Sequence, residues 1–330
     1  MTASATDQQF RSVGLGAVLA RHGALISLAI LVLVNVALTP NFLSWQTFNV
    51  NLTQVAAIVI VATGMTLVIA TGGIDLSVGS LMAISGALAP LIFMEKIVDL
   101  PHPLIGVALS FVIPVLVAGA FGLFNGYLVT NFGIQPIIAT LVLFIAGRGI
   151  AQVMTNGYLQ PFRNPEFQVV GLGRVLGIPV QVIIMLVIVA VAAWVMKRTL
   201  LGRQILAVGG SEKAARLSGV SVTSVKLTVY FVSGICSGIA GLVVIAINSA
   251  SDANLVGLGM ELDAIAAAAV GGTLLAGGRA YIGGTLIGAL LIQLVRYTLL
   301  ANGVPDAAAM LVKAAIIVLA VWLQRQARGA

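Results

Sequence analysis

The sequence predicts an all-α polytopic membrane protein of about ten transmembrane helices, some of them broken. Three observations predict it. Of 330 residues, 60% are hydrophobic and 8% charged, against about 25% charged in a typical soluble domain. The mean hydropathy is +1.12, and apolar runs long enough to cross a bilayer recur along the chain. The basic residues, finally, gather on alternate loops, as the positive-inside rule requires. The formal charge of +7 therefore needs no nucleic-acid partner.

Ten apolar segments follow in order, at 24–39, 53–70, 76–94, 104–129, 135–155, 179–196, 225–248, 261–276, 282–300 and 308–323. The second and third, and the eighth and ninth, meet at glycines and read as broken or re-entrant pieces. Residues 1–23 read as an uncleaved cytoplasmic tail, because they lack the short apolar core and small-residue cleavage site of a removable signal. One transmembrane domain then spans 24–323, with a cytoplasmic loop at 197–226 inside it and a cytoplasmic tail at 324–330. With both termini inside, eleven basic residues fall on the cytoplasmic side: Arg11, Arg21, Lys197, Arg198, Arg203, Lys213, Arg216, Lys226, Arg279, Arg325 and Arg328. Only Lys96, Arg163 and Arg174 fall outside, while Arg148, Arg296 and Lys313 lie within spans. Five segments precede the 156–178 loop and five follow it. Gly64-Met-Thr-Leu before Gly72-Gly73 echoes Gly272-Thr-Leu-Leu before Gly277-Gly278, which allows a five-plus-five inverted repeat.

Little in the chain carries chemistry. It has no phosphate-binding loop, metalloprotease helix, nucleophile elbow or potassium-type filter. The lone Cys236 and the two histidines, His22 and His102, cannot build a metal centre. No cofactor is expected and no catalysis by this chain. If transport is driven by ATP, another chain must hydrolyse it. The stretch Thr71-Gly72-Gly73-Ile74-Asp75-Leu76-Ser77 stands out, since a carboxylate between two uncharged apolar runs is costly unless paired, hydrated or lining a cavity. Asp75 either meets water or substrate, or ties down the amides of a helix break, a common use of Asp beside a glycine turn. Arg148 needs a partner too; Asp75 is one candidate, and backbone carbonyls or the interface are the others. Glu261 and Asp263 open the eighth segment near the outer face, where a solvated or capping role is expected. The Gly-x-x-x-Gly pairs 122/126, 234/238 and 284/288 read as helix-packing sites.

The loop at 197–226 holds the second pattern. Ser211 is placed to N-cap a short helix with Glu212 and Lys213 in its first turn; Ala214, Ala215 and Leu217 give it a small apolar face, and Gly219 stops it. Such a helix suits a groove on a cytoplasmic partner, the alternative being a solvated connector.

Three blocks resemble one family. Ala70-Thr-Gly-Gly-Ile-Asp75-Leu-Ser-Val-Gly79-Ser resembles the signature of ribose-type sugar ABC transporter permeases. Ala207-Val-Gly-Gly-Ser-Glu-Lys-Ala-Ala-Arg216-Leu-Ser-Gly219-Val is similar to that family's cytoplasmic coupling segment, and Glu261-Leu-Asp263-Ala-Ile-Ala with Val270-Gly-Gly-Thr-Leu-Leu-Ala-Gly-Gly278 to its C-terminal block. The resemblance implies the permease subunit of a monosaccharide importer in the bacterial inner membrane, working by alternating access. Its expected partners are an ABC ATPase on the cytoplasmic side, a periplasmic or extracellular sugar-binding protein and a second permease copy. Gly209, Gly210, Ser211, Glu212, Ala214, Ala215, Arg216, Leu217 and Gly219 would then couple to the ATPase. Thr71, Gly72, Gly73, Asp75, Ser77, Asn125 and Gln135 would form the translocation pathway or the broken-helix motif. The rival is an ion-coupled secondary transporter with Asp75 as its coupling acid. An enzyme with Asp75 and Asp263 paired is disfavoured, because no second acid occupies a comparable glycine-bounded site.

Overall fold

The computed structural model describes residues 15–94 and 102–305, with part of the segment 307–318. The described residues are largely helical, and every element given below lies among them. Twelve helices follow in order: α1 (Leu15–Leu38), α2 (Trp45–Ala70), α3 (Val78–Phe93), α4 (Pro103–Asn131), α5 (Pro136–Thr155), α6 (Pro165–Leu172), α7 (Val180–Arg198), α8 (Leu200–Gly210), α9 (Glu212–Leu217), α10 (Val222–Asn248), α11 (Met260–Val270) and α12 (Ile282–Ala301). The described residues also hold four two-residue strands. β1 (Gln160–Pro161) pairs antiparallel with β4 (Ala250–Ser251), and β2 (Arg174–Val175) with β3 (Ile178–Pro179).

Nine of the ten expected segments coincide with helices. The tenth, 308–323, lies mostly outside the described residues, as do positions 1–14 of the N-terminal tail and the whole tail 324–330. Six helices, α2, α4, α5, α7, α10 and α12, are long and apolar enough to span a membrane, so the described residues show six full spans against the expected count of about ten. Two boundaries move. α1 begins at Leu15, so residues 15–23 are helical rather than tail. α11 stops at Val270, well short of 276, because a glycine turn ends it while the sequence stays apolar.

The core forms around α2 and α10. In α2, 83% of the most apolar window is buried, against 28% in α5 and in α7. α2 is enclosed by α7, α10, α11 and α12, whereas the other two present broad apolar faces outward. Lipid tails are as apolar as leucine, so packing between helices rests on close approach of small residues. α4 and α10 supply it: a Cβ on Gly122 would lie 2.3 Å from the Tyr230 carbonyl oxygen, and one on Gly234 2.4 Å from that of Ala118. The Gly-x-x-x-Gly pairs thus do pack helices, and Cys236 is buried against Gly64 as a small apolar group. At the α6 end, Phe167 lies buried among rings, stacked on Phe111 at 4.8 Å and tilted on Phe93 at 4.9 Å, which fastens α6 over α3 and α4.

Candidate functional site

Two helix endings share one design. At the end of α2 the Thr71 and Gly72 amides donate to Val68 and Ile69, and Gly73 donates back to Val68 at 3.2 Å. At the end of α11 the Gly271 and Gly272 amides donate to Ala267 and Ala269, and Thr273 donates to Ala268 at 3.0 Å. Gly72 (φ +83°) and Gly272 (φ +87°) take the left-handed conformation that terminates a helix and is open to glycine without strain. The matched pair is therefore Gly72 with Gly272.

Asp75 sits in the first of these breaks, fully buried. Its Oδ1 accepts from the Ser77 amide at 3.0 Å and the Ser77 hydroxyl at 2.6 Å, and its Oδ2 accepts from the Ser233 hydroxyl of α10 at 2.8 Å. Asn125 of α4 donates to Ser77 Oγ at 2.8 Å. Thr140 of α5 accepts from the Leu76 amide at 3.1 Å. Tyr230 closes the remaining side, its hydroxyl lying 2.7 Å from where a Cβ on Gly73 would be. Three helices, α4, α5 and α10, thus converge on the turn that joins α2 to α3. Burying a carboxylate is expensive, and hydrogen bonds from hydroxyls and an amide offset much of it. Thr71 is also buried, its hydroxyl donating to Val68 O at 2.8 Å. The structure brings Thr71, Gly72, Gly73, Asp75, Ser77 and Asn125 together but not Gln135, which is exposed at the start of α5. Ser233, Tyr230 and Thr140 have no sequence signal beyond being polar in apolar helices.

Arg148 does not pair with Asp75. Its Nη1 donates to the carbonyls of Ala253 and Val256, the former at 2.9 Å, and Nη2 reaches Gly79 O at 3.5 Å, so it pins the segment before α11. Glu261 and Asp263 are buried rather than solvated, at 6% and 8% exposure, because that segment folds inward and carries the start of α11 with it.

The short helix expected after Ser211 is present as α9, and α8 leads into it with a bend at Ser211. Ser211 Oγ accepts from the Ala214 amide at 3.3 Å. Gly219 (φ +79°) ends the turn, with Val220 N donating to Ala215 O at 3.0 Å. Ala214, Arg216 and Leu217 face outward, Leu217 at 83% exposure, while Ala215 is buried against the body. An ion pair between Glu212 and Lys226 ties α9 to α10. Gly210 is exposed, but Gly209 is not part of the outward face. A Cβ on it would lie 1.8 Å from Ala70 O and 2.4 Å from Gly278 N. The Gly278 amide itself donates to Ala70 O at 3.0 Å. The last turn of α8 therefore meets the ends of both breaks at one point.

A bundle of apolar helices with broken segments and an exposed hairpin at one end is the architecture of a multi-pass membrane protein. The chain belongs to the permease family described as "Branched-chain amino acid transport system / permease component", whose model matches residues 48–321. It is 41% identical over 308 residues to the ribose import permease protein RbsC of Escherichia coli, covering 92% of this chain and 93% of that one. It is 37% identical over 319 residues to the galactofuranose transporter permease protein YtfT of the same organism, covering 92% and 89%. The fructose import permease protein FruF of Bifidobacterium longum is 38% identical over 257 residues, covering 77% and 70%. No solved structure matches the chain. The resemblance to ribose-type permeases is borne out, and these relatives and the apolar helices make this a multi-pass protein of the bacterial inner membrane.

Proposed function

We propose that this chain is the membrane-spanning subunit of an ATP-driven monosaccharide importer that forms its pathway by alternating access. A separate ABC ATPase docks on the α8–α9 hairpin from the cytoplasm, a sugar-binding protein delivers substrate at the α6 end, and a second permease copy completes the pathway. Both termini lie in the cytoplasm, on the side that carries eleven of the basic residues. The observation that carries the reading is the hairpin. It exposes Ala214, Arg216 and Leu217 to a partner while its root at Gly209 touches both helix breaks. Motion imposed on α9 reaches the membrane helices through that contact.

Asp75 favours this reading over the ion-coupled rival. A coupling acid must exchange its ion with water, whereas both Asp75 oxygens are taken by hydroxyls and an amide inside protein. The test is reconstitution with the ATPase and binding protein in liposomes, with ribose, galactofuranose and fructose offered in turn. ATP-dependent uptake is expected, and Leu217→Asp or Arg216→Glu should reduce capture of the ATPase and sugar-stimulated ATP turnover by about tenfold, the scale of one lost interface anchor. Unchanged capture and turnover in both variants would remove the docking role. Uptake by the permease alone under an ion gradient would establish the rival.

A further inference from the structure

Between α10 and α11 the chain passes through β4 and then, from 252 to 259, runs as non-helical turns that fold back into the bundle. α10 ends at Asn248, yet Gly257 packs on α3, where a Cβ on it would lie 2.3 Å from Gly79 O and 2.9 Å from Met82 Cβ. Gly241 of α10 touches the same Met82. It stands seven residues before the helix end (248 − 241), so the chain returns about 10 Å along α10 at ~1.5 Å per residue. α11 starts only at that depth. Its inner side is well held, by Arg148 on the Ala253 and Val256 carbonyls.

Its outer side is bare. Asn254 is exposed, and Leu255, Leu258 and Leu262 are 65%, 63% and 55% exposed. The bare strip continues onto α5: Gln152 Nε2 donates to Asn254 Oδ1 at 2.8 Å, and the Asn254 amide and Nδ2 both donate to Asp252 Oδ1, at 2.8 and 3.1 Å. Irregular backbone at membrane depth is tolerated only against protein or water, and a carboxylate there needs water or a partner. The outward face of the middle of α7, from 186 to 194, with Leu186, Val187, Val191 and Trp194 exposed, contrasts with it in having only apolar groups and an intact helix.

We propose that the face formed by 252–262 and the outer side of α5 lines the water-filled passage, and that Gln152, Asn254 and Asp252 hydrogen-bond the passing sugar. Amides and a carboxylate side by side offer both donors and acceptors, as a neutral polyhydroxylated ring requires, and Leu255 and Leu258 suit its C–H faces. A second copy of the chain supplies the opposite wall. The proposal rests on the permease reading above, and it moves the pathway away from Thr71, Ser77, Asn125 and Gln135.

The test uses the complete transporter in liposomes, with single cysteines at Asn254→Cys and Leu258→Cys and, for comparison, Val187→Cys on α7. The native Cys236 is buried and gives the background. Modification by the membrane-impermeant reagent 2-sulfonatoethyl methanethiosulfonate should be at least about tenfold faster at 254 and 258 than at 187, since water reaches only a polar passage. Equal rates at all three positions, in a transporter that takes up ribose, would overturn the assignment and leave the importer reading standing. Fast modification at 254 and 258, with no uptake of any neutral sugar by the unsubstituted transporter, would uphold the wet face and overturn its sugar. In a working transporter, Gln152→Leu with Asn254→Leu should raise KM for ribose about tenfold, near 1.4 kcal/mol, with ATPase capture unchanged. An unaltered KM would sink the contact role.

Discussion

The turn at 71–77 and the segment 250–259 both bring polar backbone into an apolar bundle, yet one is sealed and the other has an open flank. Around Asp75 the polar groups are met from α4, α5 and α10, and its carboxylate is fully buried. Around Asn254 the carbonyls are held on the inner side by Arg148, and the outer side is left to whatever lies beyond. In water this difference would mean little. In a bilayer it separates backbone that orders the fold from backbone that must be wetted.

The contrast can be broken at three places. Asp75→Ala strands the Ser77 amide and the Ser77 and Ser233 hydroxyls in a dry site, at about 1–3 kcal/mol for each buried group. It should lower the melting temperature of the detergent-solubilised protein the most, with Asp75→Asn milder because it keeps an acceptor. A variant that melts like wild type but no longer transports would make Asp75 a pathway residue after all. Arg148→Met removes the clamp on Ala253 and Val256 and should cost about 2 kcal/mol. Its mark is local: amide hydrogen exchange should quicken across 252–259 and stay unchanged in α2. Leu258→Asn should sit within about 0.5 kcal/mol of wild type if its flank is wet, and a clear loss of stability would return that flank to lipid.

How much of this was legible in the sequence follows from range. Apolar runs gave the helices, because burial and lipid exposure both demand them. The break after Ala70 and the bend at Ser211 were readable because glycine turns and N-caps are local chemistry. The stop of α11 at Val270 was not, since the residues up to 276 are as apolar as a helix would be. The partners of Asp75 were beyond reach for another reason: Ser233 lies 158 positions away in a helix rich in small residues. Ser251 to Gly259 reads as a surface loop whether it stays outside or folds inward, so the depth of Asn254, Glu261 and Asp263 needed coordinates. Arg148 showed its need for a partner but not which one, because carbonyls leave no trace in a sequence.

The meeting of Gly209, Ala70 and Gly278 has one more consequence. Contacts made through long side chains have play in them, since rotamers can turn to absorb a displacement before the backbone moves. Here the touching atoms are main chain on every side, with no χ angle among them to give way. The joint is meshed like the teeth of two gears, so a displacement of α8 at Gly209 would press on main chain at both breaks.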